Sequence, residues 1–86
     1  NNITKLLEDY IQKNPLKFRA WNYLSAIMRY KKDFYRAHII SRVEIGIALK
    51  NKNKIQYVEA LKSYAKSRIK INKKLNKTQK QFIKSI

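Results

Sequence analysis

The stretch FYRAHIISRVEIGIAL, residues 34–49, decides the fold. Ala37, Ile40, Val43 and Ile47 recur at helical spacing, yet Val43, Ile45, Ile47 and Leu49 also alternate with Arg42, Glu44, Gly46 and Ala48 at the period of a half-buried strand. A helix is the expectation, because the segment is long and no second convincing strand is available to pair with it; a strand over 39–49 is the alternative. With apolar residues on more than one side, such a helix would be the most buried of the chain.

The flanks support helices joined by short polar turns. One proline, one glycine and few serines leave little room for hairpin turns or linkers. Upstream, Leu6, Leu7, Tyr10 and Ile11 suit a helix over about Thr4 to Lys13. Asn14-Pro15 then ends it and starts the next, with Asn14 as cap and Pro15 in the first turn. That second helix, Pro15 to Tyr30, carries Ala20, Trp21, Leu24, Ile27 and Met28 on one side, and Trp21 at this spacing reads as core. Asp33 is the expected N-cap of the 34–49 helix. Downstream, Asn53 and Gln56 have capping-box spacing, opening a helix from Ile55 toward Ile86. Asn72, Asn76 and the pair Thr78 and Gln81 suggest a break near 76–78. The expected fold is all-α, a small bundle of three to five helices in one domain, 1–86. Its long basic amphipathic C-terminal helix could project as an extension over 72–86.

Seven lysines in that last segment, Lys62, Lys66, Lys70, Lys73, Lys77, Lys80 and Lys84, are spaced 4, 4, 3, 4, 3 and 4 residues apart. At about 100° per residue they share an arc of about 80°, one cationic ridge. Tyr57, Leu61, Tyr64, Ile71, Leu75, Phe82 and Ile86 fill the opposite arc, the expected packing face. No acid follows Glu59, and the chain carries 21 Lys and Arg against 5 Asp and Glu, a net charge of +16. Lys, Asn and Ile together supply 36 residues, the composition of an AT-rich genome. That drift does not explain the shortage of acids, and self-repulsion of this size favours a polyanion partner.

Other candidates are weaker. Arg19, Arg29, Arg36 and Arg42 could fork onto phosphates if the fold gathers them, and Arg36 and Arg42 join the ridge as candidate nucleic-acid contacts. They could equally be surface residues paired with Glu8, Asp9, Asp33 or Glu44. Arg68 falls on the apolar arc, where it snorkels out, meets an acid such as Glu44, or marks where the helix leaves the core. Tyr23, Tyr30 and Tyr35, off the main apolar stripes and near basic residues, are candidates for stacking on exposed bases. Catalysis has little support: Glu8 and Asp9 point to different sides of a helix, no glycine loop cradles phosphate, and His38 and the serines lack partners. No cysteine is present, and one histidine cannot build a metal cluster. No cofactor, metal or small-molecule substrate is therefore implied.

Two stretches carry partial resemblances. Ala20-Trp21-Asn22-Tyr23-Leu24-Ser25, followed by Asp33-Phe34 and Ala37, is similar to the first part of a tetratricopeptide repeat, with Pro15 where the preceding repeat's proline falls. Ser41 and Glu44 stand where that family has apolar residues, and no second repeat follows. Lys31-Lys32-Asp33 and residues 49–57 resemble a family of basic, helical, RNA-binding proteins of the small ribosomal subunit, but its serine-arginine contacts are missing. Neither resemblance assigns the chain to a family.

The expectation is a non-enzymatic module that binds DNA or RNA through the phosphate backbone. The alternative is a helical module docking an acidic protein surface or a larger assembly. No apolar run approaches the ~20 residues of a membrane span, and Arg68 and Gln79 interrupt the apolar arc that would lie on a membrane surface. The start at Asn1-Asn2 suggests a processed product or an excised piece. With no secretory leader visible, an intracellular setting is the expectation.

Overall fold

The computed structural model describes the backbone of residues 2–85 and the side chains of residues 3–74. Four helices follow one another: α1 (Asn2–Lys13), α2 (Phe18–Tyr30), α3 (Phe34–Lys50) and α4 (Lys54–Ser85), with no strand among the described residues. The 34–49 stretch is thus helical. It buries Ala37, Ile40, Ser41, Glu44, Ile47 and Ala48, a spacing of threes and fours that gathers one helical face, while Val43 and Leu49 of the strand-like alternation face solvent.

α3 is central and packs against both α2 and α4, and α2 also meets α1 and α4. Lys31 at the end of α2 donates to Thr4 at the start of α1 (3.2 Å), so these two helices run antiparallel. One apolar cluster joins Ile11, Ala20, Leu24, Met28, Ala37 and Ile40; a second joins Phe18, Ile47, Ala48 and Ala60. Trp21 packs on both clusters and its Nε1 donates to the Pro15 carbonyl (2.8 Å), the core role its spacing suggested.

The two turns bounding α3 share one design. After α2, the Lys32 N–H reaches Arg29 O (3.0 Å) and the Asp33 N–H reaches Met28 O (2.8 Å), closing the helix with a left-handed residue at Lys32, φ 63°. After α3, Lys52 and Asn53 reach Leu49 O and Ala48 O (both 3.1 Å), with Lys52 at φ 52°. In each turn the following residue caps the next helix. Asp33 Oδ1 accepts from the Arg36 N–H (3.3 Å) and Asn53 Oδ1 from the Gln56 N–H (3.1 Å). The capping box at 53–56 is half formed, since the Gln56 side chain accepts instead from Asn51 (3.1 Å).

Three expectations are corrected. α2 begins at Phe18, not Pro15, because Asn14 faces backward: its N–H and its side-chain amide both donate to Tyr10 O (2.9 and 3.1 Å), completing α1. α4 is continuous through Asn76 and Thr78; the side chains of Leu75 and beyond lie outside the described set. Most consequential, the packing stripe of α4 is Ala60, Ser63, Ser67 and Ile71; of the expected arc Ile71 is buried and Tyr64 half-buried, but Tyr57 and Leu61 are not. Those buried residues are mostly small, and so are Ala37, Ser41 and Ala48 on α3. Helices meeting along small side chains approach closely and push large ones to the flanks, where Tyr57 and Leu61 are partly exposed.

Candidate functional site

The stripe lies about 70° around α4 from the arc expected to pack, by the ~100° per-residue rotation of a helix. The lysine ridge therefore borders the buried seam, about 110° from it, instead of standing opposite. Lys62, Lys66, Lys70 and Lys73 are all exposed. Lys77, Lys80 and Lys84 belong to the same helix, but their side chains lie outside the described residues.

The ridge occupies the α2 side of α4. On that side Glu59 meets Arg19 of α2, Oε2 to Nη1 at 2.7 Å, and Ser63 accepts from Nη1 of Arg29 at 2.7 Å. The acid that would interrupt the ridge at its start is thus paired. Among the described residues the other ion pair is Arg36 with Asp33, Nε to Oδ2 at 3.4 Å.

The arginines named from sequence part company. Arg19 and Arg29 reach the ridge flank through their bonds to Glu59 and Ser63. Arg36 lies at the start of α3 with Asp33, beside Glu8 and Gln12 of α1. Arg42 is near His38, whose imidazole is held below its ordinary pKa first by burial and then by the charges of Arg68 and Arg42. His38 packs against Tyr64, ring centroids 4.5 Å apart and planes tilted by 43°, so Arg42 and Arg68 mark the opposite flank. Arg68 is about 160° from the ridge by helical phase. It is exposed, one of its three expected placements.

The tyrosines are also dispersed. Tyr23 lines a groove with Leu7, Tyr10, Lys17 and Arg19. Tyr30 at the end of α2 is 89% exposed. Tyr35 is half exposed and has the Lys74 ammonium 6.0 Å from its ring centroid. These three do not form one stacking platform, but Tyr35 sits among lysines.

Behind the seam is a polar cluster that charge patterning did not reveal. Glu44 is 0% exposed. Its Oε1 accepts from Asn22 (2.7 Å), and its Oε2 has no hydrogen-bond partner among the described residues. Ser25 and Ser63 are 3.1 Å apart, oxygen to oxygen, and Arg29 donates to both, at 3.5 and 2.7 Å. Burial holds the Glu44 carboxyl above its ordinary pKa, against the opposing pull of Asn22, Ser63, Ser25 and Arg29. A sequence signal existed: Ala37, Ser41, Glu44 and Ala48 recur at spacings of 4, 3 and 4, which places Glu44 in a stripe of small residues.

Among the described residues no three His, Cys, Asp or Glu side chains group as metal ligands, and no helix is long and apolar enough to cross a membrane. Compared with known family models, curated proteins and solved structures, the chain matches none.

Proposed function

We propose that this chain is a non-enzymatic nucleic-acid-binding module that grips the phosphate backbone with the lysine face of α4. The observation that carries this reading is the exposure of Lys62, Lys66, Lys70 and Lys73 on one flank of a single helix, next to an acid already neutralised by Arg19. Lys62 and Lys73 are about 17 Å apart along the axis at ~1.5 Å per residue, which spans several phosphates of a strand. Such contacts set position and orientation and carry no sequence information. Arg19 and Arg29 on the α2 side are engaged with Glu59 and with Ser63, so the cationic surface is that of the α4 lysines.

The test replaces Lys66 and Lys73 together by Glu and measures binding to duplex DNA, single-stranded DNA and RNA at fixed salt. A drop of ten-fold or more on the polymer that wild type prefers supports the reading; unchanged affinity refutes it. A second reading, docking of an acidic protein surface, draws on Leu49, Tyr57 and Leu61, partly exposed apolar residues around the α3–α4 turn. Recovery of the pure protein free of nucleic acid, with a low 260/280 nm absorbance ratio, would favour it.

A further inference from the structure

At the α2–α3 turn, Lys31, Lys32, Asp33, Phe34 and Tyr35 meet Ile71 and Lys74 of α4 around a pocket of about 240 Å³. We infer that this pocket receives one unpaired nucleobase, stacked on Tyr35, while the adjoining strand runs onto the ridge. The inference rests on the backbone-binding reading and narrows its substrate to single-stranded or locally unpaired nucleic acid.

The pocket combines what a base and its phosphate require. Its floor is apolar, with Ile71 buried at 6% and Phe34 half-buried. Tyr35 lines the pocket and is half exposed, and an aromatic ring suits sequence-neutral stacking because every base presents a π-surface. The rim is cationic: Lys74 reaches to 6.0 Å of the Tyr35 centroid, and Lys31 and Lys32 line the turn side. Asp33 is the one acid lining the pocket, and its carboxylate is turned to Arg36, accepting the backbone N–H at 3.3 Å and facing Nε at 3.4 Å. With that charge balanced, the rim keeps a positive potential toward an incoming phosphate.

Rigidity and continuity favour a built site. The turn is pinned by the two reverse bonds from Lys32 and Asp33 into α2, and Lys31 is held by Thr4 of α1. The volume falls below the roughly 300–1,000 Å³ of pockets for drug-sized ligands, which suits a single ring system. Lys74 directly follows Lys73 and lies one turn beyond Lys70, so the pocket opens at the end of the described ridge. A regular duplex keeps its bases stacked inside and cannot fill it.

The experiment compares wild type, Tyr35→Ala, Tyr35→Phe and the Lys66→Glu/Lys73→Glu variant on a single strand of about 12 nucleotides, within ordinary single-strand site sizes, and on a duplex of equal length. One base of the single strand is replaced by 2-aminopurine. Tyr35→Ala is expected to weaken single-strand binding about ten-fold, to relieve 2-aminopurine quenching, and to leave duplex binding within two-fold; Tyr35→Phe restores both readouts. Equal loss on both polymers, or no change on the single strand, overturns the pocket while leaving the ridge standing. A wild type that binds neither polymer overturns both, and binding of a phosphotyrosine peptide in their place would assign the pocket to a protein ligand.

Discussion

Replacing Glu44 by Gln should stabilise the fold at neutral pH, and the effect should grow as pH rises out of the acid range. Glu44 is fully buried, with one strong bond from Asn22 and an Oε2 that receives none among the described residues. A hydrogen bond to a charged group contributes about 1.5–3 kcal/mol and an unsatisfied buried group costs about 1–3 kcal/mol, so these two contributions nearly cancel. What is left is desolvation of the charge, several kcal/mol for an ion removed from water, partly offset by Arg29 and the two serine hydroxyls. Gln keeps the Asn22 bond and faces Ser25 and Ser63 with an amide, so a gain of about 1–2 kcal/mol is expected near pH 7. For a domain of this size that is roughly 4–16 °C in melting temperature.

The sign with pH follows from the raised carboxyl pKa. The folded state binds more protons than the unfolded state between the unfolded pKa, about 4.3 for Glu, and the raised folded value. Wild type therefore loses stability as pH rises through that window, at no more than about 1.4 kcal/mol per pH unit, while Glu44→Gln does not. The assay is urea denaturation of both proteins from pH 4 to 8, plotted as the difference. His38 titrates in both proteins and drops out of it. A difference that shrinks with rising pH would refute the reasoning, because it would mean that Arg29 stabilises the carboxylate by more than burial destabilises it.

Three stability changes follow from the backbone and the seam. Gly46 lies inside α3, and a Cβ added there would meet nothing within 4 Å, so Gly46→Ala should add about 0.5–1 kcal/mol, read as a higher urea midpoint. Lys52 is left-handed at φ 52°, so Lys52→Gly should raise stability, by up to about 1 kcal/mol after the entropy cost of glycine; Lys52→Ala should not. Ala60 is completely buried in the seam, and Ala60→Leu should cost at least about 1–3 kcal/mol by forcing α4 away from its neighbours, visible as early thermal unfolding.

Much of this architecture is legible in the residues. The length of the 34–49 segment and the lack of a partner strand point to a helix, and Asp33 and Asn53 mark the starts of α3 and α4 by ordinary capping chemistry. Asn14 misleads because the same amide that can cap a following helix can also close the preceding one, and only the path of the chain decides between them. The seam is hidden for a different reason. Periodicity is sought in large apolar residues, whereas close helix packing selects Ala and Ser, so Tyr57 and Leu61 draw attention away from Ala60, Ser63 and Ser67. The shared phase of Lys62, Lys66, Lys70 and Lys73 is legible in their spacing; which flank they occupy depends on that seam. The gathering of Lys31, Lys32, Tyr35 and Lys74 needs α4 to pass the α2–α3 turn, which no local spacing encodes.

The most direct test of the central claim is the salt dependence of binding. With the four exposed lysines from Lys62 to Lys73 each neutralising one phosphate, the plot of log affinity against log salt should have a slope of at least about −2.8 for a single strand or about −3.6 for a duplex. Lys66→Glu/Lys73→Glu should flatten that slope by about 1.4 to 1.8. A slope near zero, or one that the double variant leaves unchanged, would contradict the account.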